Sequence, residues 1–309
     1  MSDTERVSNN MPIMCLGFGE AGQAFAAGWK RAGVPVDISA FDIKTNSRSH
    51  ADEQRAAYAR HGVTGLERPG AAAVVFSLVT ADQAEVAALD ATVALAPGTL
   101  FFDCNSCSPG AKRRSAEALE AKGIRYVDVA VMAPVYPGLH RTPLLLSGPH
   151  AEAALEWLHA LDMSAQIAGS DVGVASATKM VRSIMIKGIE ALTLECCLAA
   201  RRVGVDEAVL ASLDASMPGW NWPERAAYNM ERVATHGLRR AAEMREVAQT
   251  VAELGLPPDM SRAIVEWQQR VGEAELDLGS GPENYAGRAD RISEAMAGTP
   301  RAAKTRAAE

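Results

Sequence analysis

Three glycines, Gly17, Gly19 and Gly22, carry the first chemistry legible in this chain, in the run Ile13-Met14-Cys15-Leu16-Gly17-Phe18-Gly19-Glu20-Ala21-Gly22. The run reads as an apolar strand, a Gly-x-Gly-x-x-Gly turn and then a helix, Gln23 to Lys30. In that context Gly17 makes the tight turn off the strand and Gly19 lets backbone approach a pyrophosphate. Gly22 lets helix and strand pack closely. The amides of the helix N-terminus then face the phosphates. A second strand, Val36 to Phe41, ends at Asp42, twenty residues past Gly22. An acidic side chain there accepts hydrogen bonds from an adenosine ribose and repels a 2′-phosphate. The expected cofactor site comprises Gly17, Phe18, Glu20, Gly19, Ala21, Gly22 and Asp42, with Leu78, Val79 and Asn105 at the ends of later strands. NAD is favoured, while Lys44, Asn46 and Arg48 beyond Asp42 leave NADP open.

A second set of polar residues recurs at helical spacing. On a wheel of about 100° per residue, Lys179, Arg182, Ser183, Lys187 and Glu190 share one face of about 140°. Around them are Met180, Ile184, Met185, Ile189, Leu192 and Leu194, so the helix is expected to be buried on most sides. A lysine on such a helix is costly unless it is paired or used. Both readings fit the pattern: an internal Lys–Glu pair, or a working amine. A further stripe, Asn229, Arg232, His236, Arg239, Arg240 and Glu243, lies within Tyr228–Val247. It is either a solvated amphipathic face or a cationic cluster for a carboxylate or phosphate.

These groups need a scaffold. Strands are predicted at Ile13–Leu16, Val36–Phe41, Ala73–Leu78, Leu100–Asp103, Arg125–Val129 and Leu144–Ser147, with helices between them. The alternation predicts an α/β Rossmann domain with a doubly wound, mostly parallel sheet over 1–168. After Gly169 one long helical pattern runs from Asp171 to about Val203, and no strand alternation returns. The second half, 169–296, is therefore expected to be an all-helical domain joined through a long interdomain helix. It is broken at Met217-Pro218-Gly219 and Gly255-Leu256-Pro257-Pro258. The stretch 297–309 has no large apolar residue and is expected to be a disordered tail.

Composition narrows the function. At 309 residues the chain suffices for two domains. Its net charge of -7, without a basic cluster, argues against nucleic acid. No apolar run approaches the roughly 20 residues of a membrane span. The first ten residues lack an apolar signal core, and five cysteines, an odd number, suit a reducing cytoplasm. Cys104-Asn105-Ser106-Cys107 has redox spacing. It sits at a strand end without a second pair for zinc, so packing is favoured over redox or metal duty. Trp220 and Trp222 flank Asn221 after a Pro-Gly turn, as core or as pocket lining.

These residues resemble the β-hydroxyacid dehydrogenase superfamily, which includes 3-hydroxyisobutyrate and 6-phosphogluconate dehydrogenases. The similarity runs from about Met11 to Glu195, and more loosely to Glu275. Asp103-Cys104-Asn105-Ser106-Cys107-Ser108-Pro109 looks like the family's D-x-S-T-x-S-P substrate segment, and Val127 to Pro134 sits where the family has D-A-P-V-S-G-G. Gly173 to Lys179 looks like the run into the family's catalytic lysine. The resemblance implies oxidation of an alcohol β to a carboxylate, with or without decarboxylation. Lys179 would be the general base, and Asn105 and Ser106 would orient the substrate. It also implies a cytoplasmic homodimer with a shared active site, to which His236, Arg239 and Arg240 would contribute. Two departures stand out. The Ser-Gly-Gly carboxylate loop is Met132-Ala133-Pro134 here, and the Asn four residues after the lysine is Ser183. Carboxylate recognition must therefore differ, with Arg182 the candidate anchor and Lys187 a second. An imine or keto-acid reductase on the same scaffold and a non-catalytic NAD-sensing dimer are the alternatives.

Overall fold

The computed structural model describes residues 11–279 and 284–298. They form two compact units, Met1–Met180 and Val181–Glu309.

In the first unit strands and helices alternate: β1 (Met11–Leu16), α1 (Glu20–Ala32), β2 (Val36–Phe41), α2 (Ala51–His61), β3 (Thr64–Gly65), β4 (Val74–Ser77), α3 (Ala84–Ala91), β5 (Leu100–Asp103), α4 (Pro109–Glu120) and β6 (Arg125–Val131). One turn of helix, α5 (Val135–Gly138), precedes β7 (Leu144–Ser147), α6 (Ala151–Ala160) and β8 (Ala165–Gly169). The strands form one sheet in the order β3-β2-β1-β4-β5-β6-β7-β8. The order reverses direction between β1 and β4, and the crevice at their carboxyl ends is where such sheets take a ligand.

The central strands are apolar throughout because helices cover both faces. Phe76 and Phe102 stack at 4.8 Å on the face that also buries Phe25 and Trp29. Phe101 and Tyr126 stack at 6.1 Å on the other face, with Leu119. Each buried phenylalanine contributes about 1.5–3 kcal/mol.

Every strand pair is parallel except β6–β7. A parallel return needs a crossover long enough for a helix. The Val131–Leu144 connection holds only α5 and a 3-10 turn, so β7 returns antiparallel. The edge strand β8 is not among the predicted strands. It carries one large apolar residue, Ile167, and alternates between half-buried and exposed positions, a weak pattern.

The long helix, α7 (Val174–Arg202), gives its first turns to the first unit and the rest to the second. The division thus falls at Met180/Val181, inside the helix, and not at 168/169 as the composition change suggested. The cause is a set of hydrogen bonds from the start of α7 to the sheet. Ala175 N donates to Ser147 Oγ at 2.9 Å and Ser176 N to Asp128 Oδ2 at 3.0 Å.

The second unit contains α8 (Asp206–Ser216), α9 (Trp222–Glu253), α10 (Asp259–Gly272) and α11 (Tyr285–Gly298). Its core gathers Leu194, Cys197, Trp222, Met230, Val233, Val271 and Ile292. Trp222 belongs to this core, and Trp220 stacks on it at 5.2 Å, so the pair packs the helices. At the α9–α10 crossing a Cβ on Gly237 would stand 2.4 Å from Gln268 O, so glycine allows backbone contact there. Two expectations need correcting. Ala297 and Gly298 close α11, and only 299–309 of the expected tail lies outside the described residues. Nor is α7 buried on most sides: Val181, Met185 and Leu192 are 48%, 64% and 57% exposed.

Candidate functional site

The glycine loop has the geometry its spacing predicts. Gly17 turns the chain with φ 89°, and a Cβ there would come within 2.7 Å of Leu78 O. Leu78 N donates to Leu16 O at 2.7 Å, which ties the ends of β1 and β4 together. Gly22 faces Gly17 O and the Phe18 ring, and Gly19 caps α1 with open space where a side chain would be. Phe18 is buried against Tyr58 at 5.3 Å, and its carbonyl accepts from Gln23 and Gln54. Asp42 accepts from Phe18 N at 2.8 Å and from Lys44 N at 3.0 Å. Its carboxylate is thereby fixed beside the loop at the end of β2. A Gly-rich turn, an open approach at Gly19 and a carboxylate at the end of β2 fit a dinucleotide. Ala21 and Val79 are half-buried and Glu20 is exposed at the start of α1.

The second part of the site follows β5. Asn105 is buried and donates its Nδ2 to Ser77 Oγ at 2.9 Å and to Asp103 Oδ1 at 2.7 Å. Its Oδ1 is buried with no hydrogen-bond partner among the described residues. Ser106 accepts from Lys179 Nζ at 2.5 Å. Within the first unit, then, the catalytic candidate and the segment expected to hold the substrate meet.

Sequence reasoning missed what fixes them. Asp103 Oδ1 also accepts from Asn105 N at 3.1 Å, and Asp103 Oδ2 accepts from Tyr126 Oη at 2.6 Å. Asp128 Oδ2 takes Gly173 N, Ser176 N, Ser176 Oγ and Ser147 Oγ, all within 3.0–3.1 Å. Burial and then the two aspartates hold the Tyr126 phenol well above its usual range, so it remains a donor. A signal was present: an acidic residue at the end of one apolar strand, Asp103, and another within the next, Asp128, where sheet burial makes a carboxylate expensive.

Several predicted residues are committed elsewhere. In the second unit Lys187 pairs with Glu243 at 2.8 Å and donates to Ser183 Oγ at 3.2 Å. Arg240 pairs with Glu190, which also accepts from Gln268 Nε2. Asn229 donates to Thr193 Oγ1 at 3.0 Å. Lys187 and Glu190 on α7 are thus paired with Glu243 and Arg240 on α9, and not with each other as a pair internal to α7 would have it. Arg182 and Arg239 remain exposed. Met132 is half-buried, its amide is given to Pro143 O, and Pro134 has no amide to offer. Two of the donors that a Ser-Gly-Gly loop would offer are therefore absent here.

Cys104 and Cys107 are buried, and their thiols donate to backbone carbonyls at 3.8 and 3.9 Å. Burial pushes the Cys104 thiol well above its ordinary value and Cys15 up to about 12. Buried thiols are poor redox nucleophiles. Among the described residues no group of His, Cys, Asp and Glu is arranged to hold a metal, and no helix is long and apolar enough to cross a membrane.

His236 Nε2 accepts from Arg232 at 2.8 Å, since a guanidinium can only donate. Burial, then Arg232, Arg239 and Arg240, lower the imidazole pKa below 6.5. The unfolded chain therefore binds a proton at His236 more readily than the folded one. Stability should fall as pH drops below about 6.5 and level off once the lowered folded value is passed. Urea unfolding across that window should show a shallower pH slope for His236→Asn; an identical slope would place the sensitivity elsewhere.

The comparisons with known proteins agree with this geometry. Residues 12–188 match the NAD binding domain of 6-phosphogluconate dehydrogenase, and residues 200–271 match a domain of unknown function, DUF1932. A 3-hydroxyisobutyrate dehydrogenase of Pseudomonas aeruginosa is 27% identical over 215 residues, 68% of this chain and 71% of that protein. An NAD-dependent L-serine dehydrogenase of the same organism is 26% identical over 218 residues, with the same coverage of each chain. A conserved hypothetical protein from Sinorhizobium meliloti superposes with a TM-score of 0.74 at 34% identity, covering 95% of this chain and 100% of that one. With its glycine loop, its sheet order and more than half its length within one profile, the chain belongs to the NAD-binding family of 6-phosphogluconate dehydrogenase, in the β-hydroxyacid dehydrogenase superfamily, and carries a short helical C-terminal domain.

Proposed function

We propose that the protein is an NAD-dependent dehydrogenase that oxidises the alcohol of a hydroxy acid, with Lys179 as general base. The observation that carries this reading is the 2.5 Å hydrogen bond from Lys179 Nζ to Ser106 Oγ, at the end of a strand in the same sheet as the glycine loop. A hydroxyl that displaces Ser106 from this bond would present its proton to the amine. Bound NAD supplies the acceptor for the hydride that leaves the carbinol carbon. The alcohol thus loses one proton to Nζ and one hydride, and becomes a carbonyl. Asn105 Oδ1 offers an acceptor that can orient the hydroxyl or the nicotinamide amide. Arg182, exposed on α7, is the proposed carboxylate anchor, with Arg239 and His236 as further contributors. Lys187 and Arg240 are less suited, since their charges are already paired. Decarboxylation of a β-keto product needs no further group from the chain. A homodimer belongs to the same proposal, supported by the exposed Val181, Met185 and Leu192 on one face of α7.

NAD is the proposed cofactor over NADP because Asp42 is held beside the loop by two backbone amides. Asp42→Ala should lower kcat/KM with NAD by about 10–100-fold, the equivalent of a lost charged hydrogen bond, and narrow the preference over NADP. An unchanged ratio in steady-state assays would remove Asp42 from the ribose.

The function is tested by following NADH formation across β-hydroxy acids, aldonates and bulky aromatic hydroxy acids. Turnover of any of them supports the proposal. Reduction of imines or keto acids without alcohol oxidation would make the protein a reductase. Tight NADH binding without turnover in either direction would make it a sensor.

A further inference from the structure

The placement of Lys112 in the first unit is explained neither by the nucleotide loop nor by the proposed chemistry. It sits on α4 with a fully buried side chain. Its Nζ donates to Asp103 O at 2.6 Å and lies 3.0 Å from Asp103 Oδ1 and 3.6 Å from Asp128 Oδ1. Asp103 and Asp128 are direct register partners on the parallel strands β5 and β6. Two buried carboxylates side by side repel each other, and a cation between them offsets that repulsion. An apolar side chain would pack this position at lower desolvation cost, so a lysine here is not explained by packing alone.

Each carboxylate that Lys112 touches holds a different half of the candidate site. Asp103 fixes the backbone and side chain of Asn105, next to Ser106. Asp128 fixes Gly173 and Ser176 at the start of α7, one turn before Lys179. The Lys179–Ser106 hydrogen bond closes the circuit from the other side. Protonation of either aspartate would turn an acceptor into a donor and loosen one arm.

We propose that Lys112 is a positioning residue: it joins Asp103 and Asp128 and so sets the placement of Lys179 against Ser106. This rests on Lys179 being the base, and the test keeps the two ideas apart. Burial pulls the Lys112 ammonium toward neutrality, but Asp103, then Cys107 and Asp128, outweigh it and hold the pKa above that of an ordinary lysine. Lys112 is therefore a fixed cation and takes no part in proton transfer.

The experiment compares Lys112→Met and Ser176→Ala with wild type in two ways. The first is the rate at which Lys179 is acylated by acetic anhydride, read by peptide mass spectrometry with no substrate present. The second is kcat with NADH affinity measured alongside. Ser176→Ala removes an Asp128 hydrogen bond without changing any charge, so it carries the test if Lys112→Met does not fold. Expected are faster acylation of Lys179, released from Ser106, and a kcat lower by about tenfold or more, the scale of a misplaced catalytic group, with NADH affinity retained. Wild-type acylation and kcat in whichever variants fold, even with lowered thermal stability, would overturn the proposal and leave Lys112 a structural charge. Altered acylation in a protein that oxidises no alcohol would keep the positioning role and discard the base.

Discussion

Lys179→Ala is expected to lower kcat by about 10²-fold or more, the usual loss when a general base is removed, with NAD affinity close to wild type. The two readouts separate because the cofactor contacts lie elsewhere: the glycine loop and Asp42 are built on β1, β2 and the start of α1. Lys179 touches Ser106, at the end of β5. An alanine removes the amine and leaves the helix intact, since alanine is the best helix former and Asp128 holds α7 at Gly173 and Ser176. Loss of kcat without loss of NADH binding or folding would therefore report chemistry. Normal turnover would remove Lys179 from the mechanism.

The second large effect concerns stability. Arg240→Met should destabilise the helical unit by about 3–5 kcal/mol, the usual result of stripping one partner from a buried ion pair. Arg240 and Glu190 are 11% and 5% exposed, and Gln268 Nε2 also donates to the Glu190 carboxylate. Glu190 would then carry a charge that water cannot reach. The double change Glu190→Leu with Arg240→Met should recover much of the loss, because an apolar pair of similar volume carries no desolvation cost. Chemical denaturation of the single and double variants measures this, and KM for the acidic substrate should change little. A severalfold rise in KM with unaltered stability would return Arg240 to the substrate.

How far the sequence reached differs between the two halves of the site. The glycine loop, Asp42 and the strands that carry them were legible because turn chemistry and strand hydrophobicity act over a few neighbouring residues. The Asn105-Ser106 segment was legible only through family resemblance, since nothing local marks a serine after a strand; Lys179 stood out on the polar face of its helix, but its role as a base came from the resemblance. The two stripes of α7 and α9 were seen as stripes, but helical periodicity cannot say what a stripe faces. Lys187 and Arg240 look the same in sequence as Arg182, yet the first two are largely buried in ion pairs and Arg182 is exposed.

By itself, the sequence determined the class of fold, the dinucleotide loop and the change from alternating strands to helices near Gly169. These follow from local propensity and from the apolar runs that a sheet buried on both faces requires. Tertiary structure alone decided the antiparallel turn of β7, the anchoring of α7 by Asp128 and Ser147, the mutual pairing of the two polar stripes, and the burial of Lys112 between Asp103 and Asp128. Each depends on groups far apart in the chain. A buried charge takes its energy and its role from whichever partner the fold brings within a few ångströms, and the order of residues does not name that partner.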